Sequence, residues 1–171
     1  MRKPLIDHRE EVLVTSQPKT QAKPALAHEH LKVFIGRWHA EGESYAVGQT
    51  KIDPRGSIEK WDSDETYEWL PGQFFVIQTW DAKTGANPFK GTAIINWDEK
   101  YQHYMTRSYE NHGFVRDYVT SVDGKTWTFT GDTERARIEF TDGGDTQKIT
   151  WEWRQPGEDW LPLCNRLAKR V

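Results

Sequence analysis

From Arg37 onward, aromatic and β-branched residues alternate with polar ones, and a turn signal interrupts the alternation about every ten residues. That rhythm constrains the chain more than any other feature, because a period of two puts one face of a strand on a core and the other in water. Strands are predicted over 37–47, 61–70, 74–81, 91–97, 101–109, 114–122, 126–133, 135–141, 147–154 and 160–169. The connectors carry hairpin chemistry: Pro71-Gly72, the stretch 81–85, Asn111-His112-Gly113, Asp123-Gly124 and Asp142-Gly143-Gly144-Asp145. Short connectors force neighbours to run antiparallel. A meander this wide curls and closes, which removes its adhesive edges, so the expected fold is all-β: an antiparallel up-and-down β-barrel. A Greek-key sandwich needs a long crossover, and only 48–60 has the length.

Ahead of the strands, Ala27, Leu31 and Phe34 fall at helical spacing within 25–35, and Gly36 follows as the residue that ends the helix. Residues 1–24 hold Pro4, Pro18 and Pro24 among polar residues and are expected to form an irregular arm, leaving 25–171 as a single barrel domain. The start, Met1-Arg2-Lys3, is followed almost at once by Asp7, His8, Arg9, Glu10 and Glu11, so no signal peptide is read, and no run is long enough to span a bilayer. The 23 basic and 26 acidic residues are mixed along the chain, which leaves no broad positive field for nucleic acid. A single cysteine, Cys164, excludes an internal disulfide and agrees with a cytoplasmic location.

At Gly36-Arg37-Trp38 the chain resembles lipocalins and other calycins, which open their first strand with G-x-W after a short helix. Gly36, Trp38, Ala40 and Gly42 share one face of that strand, and small residues there let other backbone come close. The resemblance implies that an arginine of the last strand packs over the Trp38 indole, Arg166 or Arg170, with Arg166 preferred. Three stretches, 34–38, 69–75 and 91–98 ahead of Tyr101, are similar to an uncharacterised bacterial family with a calycin-like barrel, the domain of unknown function DUF1579. That likeness spans about residues 25–170 and implies fold, not function. Nitrobindin-type haem barrels resemble the same opening and hold iron through a late histidine. The last histidine here is His112, so no cofactor is expected.

The strand 101–109 presents Tyr101, His103, Met105, Arg107 and Tyr109 on one face and the less apolar Gln102, Tyr104, Thr106 and Ser108 on the other. The first set is expected inward. With Trp38 and Trp151 it forms the expected ligand site, Arg107 serving as anion anchor and His103 and Tyr109 orienting a hydrophobic or aromatic acid. On the next strand either Asp117 or Arg116 faces His103, a point the spacing leaves open. A His103–Asp117 pair is the alternative, general acid/base chemistry of a cofactor-independent isomerase or cyclase. A further alternative is a filled barrel acting through its outer surface. No metal site is read: His28 and His30 lie on opposite sides of a helix, and His103 and His112 lack partner ligands. Cys164, and the aromatics Trp61, Tyr67, Trp69 and Trp153, are read as core and wall. An exposed aromatic face on the strand Trp61 to Trp69 leaves a homodimer open.

Overall fold

Where the alternation predicts strands, strands form, and their order around the sheet follows the chain. The structure, a computed structural model, describes residues 23–171, so nearly all of the expected arm (1–24) lies outside the described residues. A short helix, α1 (Leu26–His30), runs into a 3-10 turn (Leu31–Val33), and ten strands follow: β1 (Gly36–Ser44), β2 (Glu59–Trp69), β3 (Phe75–Thr84), β4 (Asn87–Asp98), β5 (His103–Glu110), β6 (Val115–Asp123), β7 (Thr126–Thr130), β8 (Glu134–Thr141), β9 (Thr146–Trp153) and β10 (Leu161–Arg170). Each pairs antiparallel with the next, and β1 pairs with β10 to close the barrel. Among the described residues no helix is long and apolar enough to cross a membrane.

The helical stretch and the β3–β4 hairpin differ from the sequence expectation, and β1 and β7 each end three residues earlier than expected. The helical stretch is not one α-helix: after His30 it tightens, Phe34 and Ile35 donating to the carbonyls of Leu31 and Lys32 at 3.1 Å. The tighter winding turns both Leu31 and Phe34 into the barrel end, where neither has any exposure. The β3–β4 hairpin bends at Gly85-Ala86 rather than across 81–85, extending both strands. Gly85 supplies the left-handed backbone at the bend (φ 57°). Pro88 is tolerated inside β4 because the β4–β5 ladder begins only at Gly91–Glu110, so on that side its missing N–H breaks no ladder bond.

The β1–β10 seam sets Trp38 opposite Arg170 and Gly42 opposite Arg166. This register corrects the preferred pairing of Trp38 with Arg166. The Arg170 guanidinium lies 4.2 Å from the centroid of the Trp38 ring, while Arg166, four residues away along the strand, lies over Trp61. Arg170 also donates to the carbonyls of Val33, Ile35 and Gly144 and to Asp145, so one side chain ties the helix end, the β8–β9 connection and the last strand together. Gly36 sits at φ 130°, a backbone that side chains rarely adopt, and an added Cβ would come 2.7 Å from Arg170 Nη1 and push that guanidinium aside.

Phe34 enters the helix end of the barrel and packs against Tyr67, Trp127 and Phe140 with ring centroids 5.5, 4.9 and 5.2 Å away. Trp38 lies beside them and donates from Nε1 to the Phe34 carbonyl at 2.7 Å. This half of the interior is solid. At the opposite end the long connection 45–58 is tied down by Gln49, which donates to the Pro54 and Pro162 carbonyls and accepts from Trp153 Nε1.

At Gly42 an added Cβ would overlap the Asn165 carbonyl oxygen and come within 2.8 Å of Arg166 Cα. Those neighbours are backbone and cannot swing aside. Gly42→Ala should therefore destabilise the barrel by about 2–3 kcal/mol, as overpacking of a rigid site does, read as a lowered urea midpoint at unchanged slope.

Candidate functional site

Between the solid end and the opposite mouth the barrel is hollow, with a cavity of about 440 Å³. Its side chains come from the inward-facing set of the strands: Trp61 and Glu65 on β2, Trp80 on β3, Phe89 and Ala93 on β4, Arg116 and Tyr118 on β6, Trp151 on β9, Arg166 on β10. Bulky walls made by one face of each strand suit a barrel enclosing a single small molecule.

Glu65 is the deepest charge, 3% exposed. It accepts from Arg166 Nη1 at 3.0 Å, Gln78 Nε2 at 3.0 Å, and the hydroxyls of Ser63 and Tyr67 at 3.2 Å each. Four donors compensate its removal from water. Burial pushes the Tyr67 phenol well above its ordinary range, so it stays a donor. The Arg166 guanidinium lies 4.5 Å from the Trp61 ring centroid, held between that face and Glu65.

A second polar group sits nearer the mouth. Arg116 donates to Glu110 at 2.7 Å and to Glu134 at 2.9 Å, and the Tyr118 hydroxyl donates to Glu134 at 2.9 Å. Burial raises the Glu134 carboxyl above its ordinary value, outweighing the adjacent Arg116 charge that lowers it. Four buried atoms in the lining have no hydrogen-bond partner among the described residues: Trp80 Nε1, Trp151 Nε1, Arg166 Nε and Glu59 Oε2. Unmet donors and acceptors inside a protein are costly, and these border the cavity.

The strand face carrying His103, Met105, Arg107 and Tyr109 points outward, which corrects the expected orientation. Across the β4–β5 hairpin Trp97 pairs with Tyr104, so Tyr104, Thr106 and Ser108 share the inward side of Ala93 and Ile95. Arg107 is opposite Asp117 and donates to both its oxygens, at 2.6 and 2.7 Å, on the outer surface. That bond holds the Asp117 carboxyl below its ordinary value. His103 instead approaches Met105 Sδ, and Asp117 is spent on Arg107, so the His103–Asp117 pair does not form. Trp38 is buried beneath Arg170, outside the cavity lining, and of the expected ligand residues only Trp151 reaches it. Trp61 and Tyr67 likewise face inward, at 7% and 3% exposure, so β2 offers no exposed aromatic face made of them.

Sequence reasoning missed Glu65, although its position between Trp61, Tyr67 and Trp69 at even spacing marks a carboxylate on a buried face. Glu110, Arg116 and Glu134 carry no such signal, because their meeting depends on which strands adjoin. Cys164 is buried, as expected, and also lines the cavity; burial raises its thiol. His28 and His30 are engaged separately, with the Ala25 amide and the Tyr104 hydroxyl. Among the described residues His39, Glu41 and Asp62 have ligand atoms within 4.8 Å of one another on the outer sheet, where Lys60 bonds Glu41.

Residues 23–160 match the family described as protein of unknown function (DUF1579). The chain belongs to this family. No curated protein matches this DUF1579 chain in sequence. Solved structures similar in shape include two that overlap most of this chain. Rv2717c from M. tuberculosis superimposes with a TM-score of 0.61 at 13% identity, covering 86% of this chain and 98% of that one. The S-type phycobiliprotein lyase CPES from Guillardia theta does so with a TM-score of 0.58 at 13% identity, covering 85% and 92%. These likenesses show that the DUF1579 chain shares the fold of these two proteins; at this identity they carry fold alone.

Arg166→Ala would strand Glu65 as a buried charge without its counterion, and should cost about 3–5 kcal/mol in chemical denaturation. Arg107→Ala, at an exposed pair, should leave the melting temperature within error. Glu134 should titrate above the ordinary glutamate value of 4.5 in carboxyl-resolved NMR. As pH rises from that value through the raised folded one, the unfolded chain releases this proton first, so Glu134's contribution to stability is withdrawn across that window.

Proposed function

We propose that this DUF1579 protein is a small-molecule-binding barrel whose ligand is hydrophobic or aromatic and enters at the end opposite α1. The observation that carries the reading is the hollow half of the barrel. Its volume falls within the roughly 300–1,000 Å³ usual for small-molecule sites, and unpartnered buried polar atoms border it. Trp80 Nε1, Trp151 Nε1 and Arg166 Nε offer directed donors within an apolar wall, which is how such sites orient a guest.

The acid ligand expected from the sequence depended on Arg107, which lies outside. The His103–Asp117 chemistry depended on a pair that the register separates, and a filled barrel is incompatible with a cavity of this size. Binding is the reading left with a physical basis. The lone thiol of Cys164 supports a reducing compartment such as the cytoplasm as the place where it operates.

Ala93 projects into the cavity from the middle of β4. Ala93→Phe should fill the space and abolish binding while the barrel persists. The measurement is a thermal-shift screen of bicyclic aromatic compounds, checked by Trp fluorescence, since Trp61, Trp80 and Trp151 border the cavity. Ligand at a hundred times its Kd should add about 2.7 kcal/mol to wild-type stability and nothing to the variant. A flat response across the whole screen, or equal shifts in both proteins, would sink the reading.

A further inference from the structure

We infer that the guest of this cavity is an organic cation: an amine or quaternary ammonium on an aromatic or apolar body, its charge seated by Glu59 at the mouth. The inference rests on the cavity being a ligand site and adds the class of ligand.

Charge balance in the lining is the first observation. Four carboxylates, Glu59, Glu65, Glu110 and Glu134, face two guanidiniums, Arg116 and Arg166, giving 4 − 2, or two formal negative charges in excess. Leaving out Glu134, whose carboxyl burial raises above its ordinary value, the other three carboxylates still outnumber the two guanidiniums. Both guanidiniums already have carboxylate partners, and only Arg166 Nε is left as an unmet buried donor between them. Arg166 is held by Glu65 and Trp61, and Arg116 bridges Glu110 and Glu134. An anionic guest would meet surplus carboxylates in a confined space where water screens poorly, while a cationic guest would relieve them.

The place of the surplus is the second observation. Glu65 is saturated by four donors, and Glu110 and Glu134 share Arg116. Glu59 has no ion-pair partner among the described residues, and its Oε2 is buried without a hydrogen bond. It lies at the open end of β2, beside the Gly85 bend.

The neighbouring wall is the third. Phe89 lies 5.7 Å from Trp61 and 5.9 Å from Trp80 between ring centroids, at interplanar angles of 64° and 33°. These packed rings give the wall beside the carboxylates an aromatic surface, suited to the apolar body of such a guest. Trp61 already carries one cation over its ring, the Arg166 guanidinium.

The test compares three probes with one ring system in calorimetric titrations of the full chain at pH 7.5: naphthylmethylamine, naphthylmethanol and naphthoate. The amine should bind about tenfold tighter than the alcohol, or about 1.4 kcal/mol, with naphthoate weakest. Glu59→Gln should shrink the amine's advantage to about threefold or less, whereas Glu41→Gln, an exposed outer-face control for net charge, should leave it at about tenfold. Alcohol or naphthoate binding as tightly as the amine would overturn the cation inference and leave the binding barrel standing. An undiminished gap in Glu59→Gln would overturn the seat at Glu59. No binding of any probe to wild type would remove both the inference and the reading beneath it.

Discussion

Closure of β1 onto β10 is the constraint on which the rest of the molecule depends. A ten-strand sheet left open would expose two long edges, and its inner face would have no opposite wall to pack on. The seam is made from little: Gly42 lets the two backbones approach where a side chain would collide with Asn165 and Arg166, and Arg170 folds back over Trp38 to hold the helix end. Because the first and last strands meet there, no local preference can supply this contact. It forms only when the whole meander has the right length and curvature.

The seam also divides the interior. On the side of Trp38 the helix end inserts Leu31 and Phe34 among aromatic rings and fills the space. On the side of Gly42 the inward residues of β1 are small, and the large rings there, Trp61 of β2 among them, line the wall around the space, which stays open. A charge as deep as Glu65 survives in that hollow because four donors surround it. With Glu65 saturated, binding is left to turn on the groups its network does not use, Glu59, Arg166 Nε and the indole N–H groups of Trp80 and Trp151.

Much of the architecture was legible. Strand positions, the short helix and the use of small residues on β1 follow from period-two patterning, Gly placement and the G-x-W opening. The candidate site was legible only in Trp151. The face of β5 was misassigned because the comparison of its two faces assumed an apolar interior, whereas this cavity wall is partly polar: Thr106 and Ser108 face in, and Met105 and Tyr109 face out. A cross-strand reading of Arg107 against Asp117 as an outer ion pair would have pointed the other way. The arginine over Trp38 was misassigned for a related reason. Arg166 and Arg170 share one face of β10, and only the register of the seam tells them apart.

The sequence by itself determined where strands begin and end and that they run antiparallel, because alternation, turn residues and backbone sterics act over a few neighbouring positions. It also determined that a sheet this wide would close. Tertiary structure decided which face looks inward, which arginine meets which tryptophan, and that Glu59, Glu65, Glu110 and Glu134 share one cavity. Those outcomes depend on register between strands far apart in the chain, and a shift of one residue in register exchanges inside for outside.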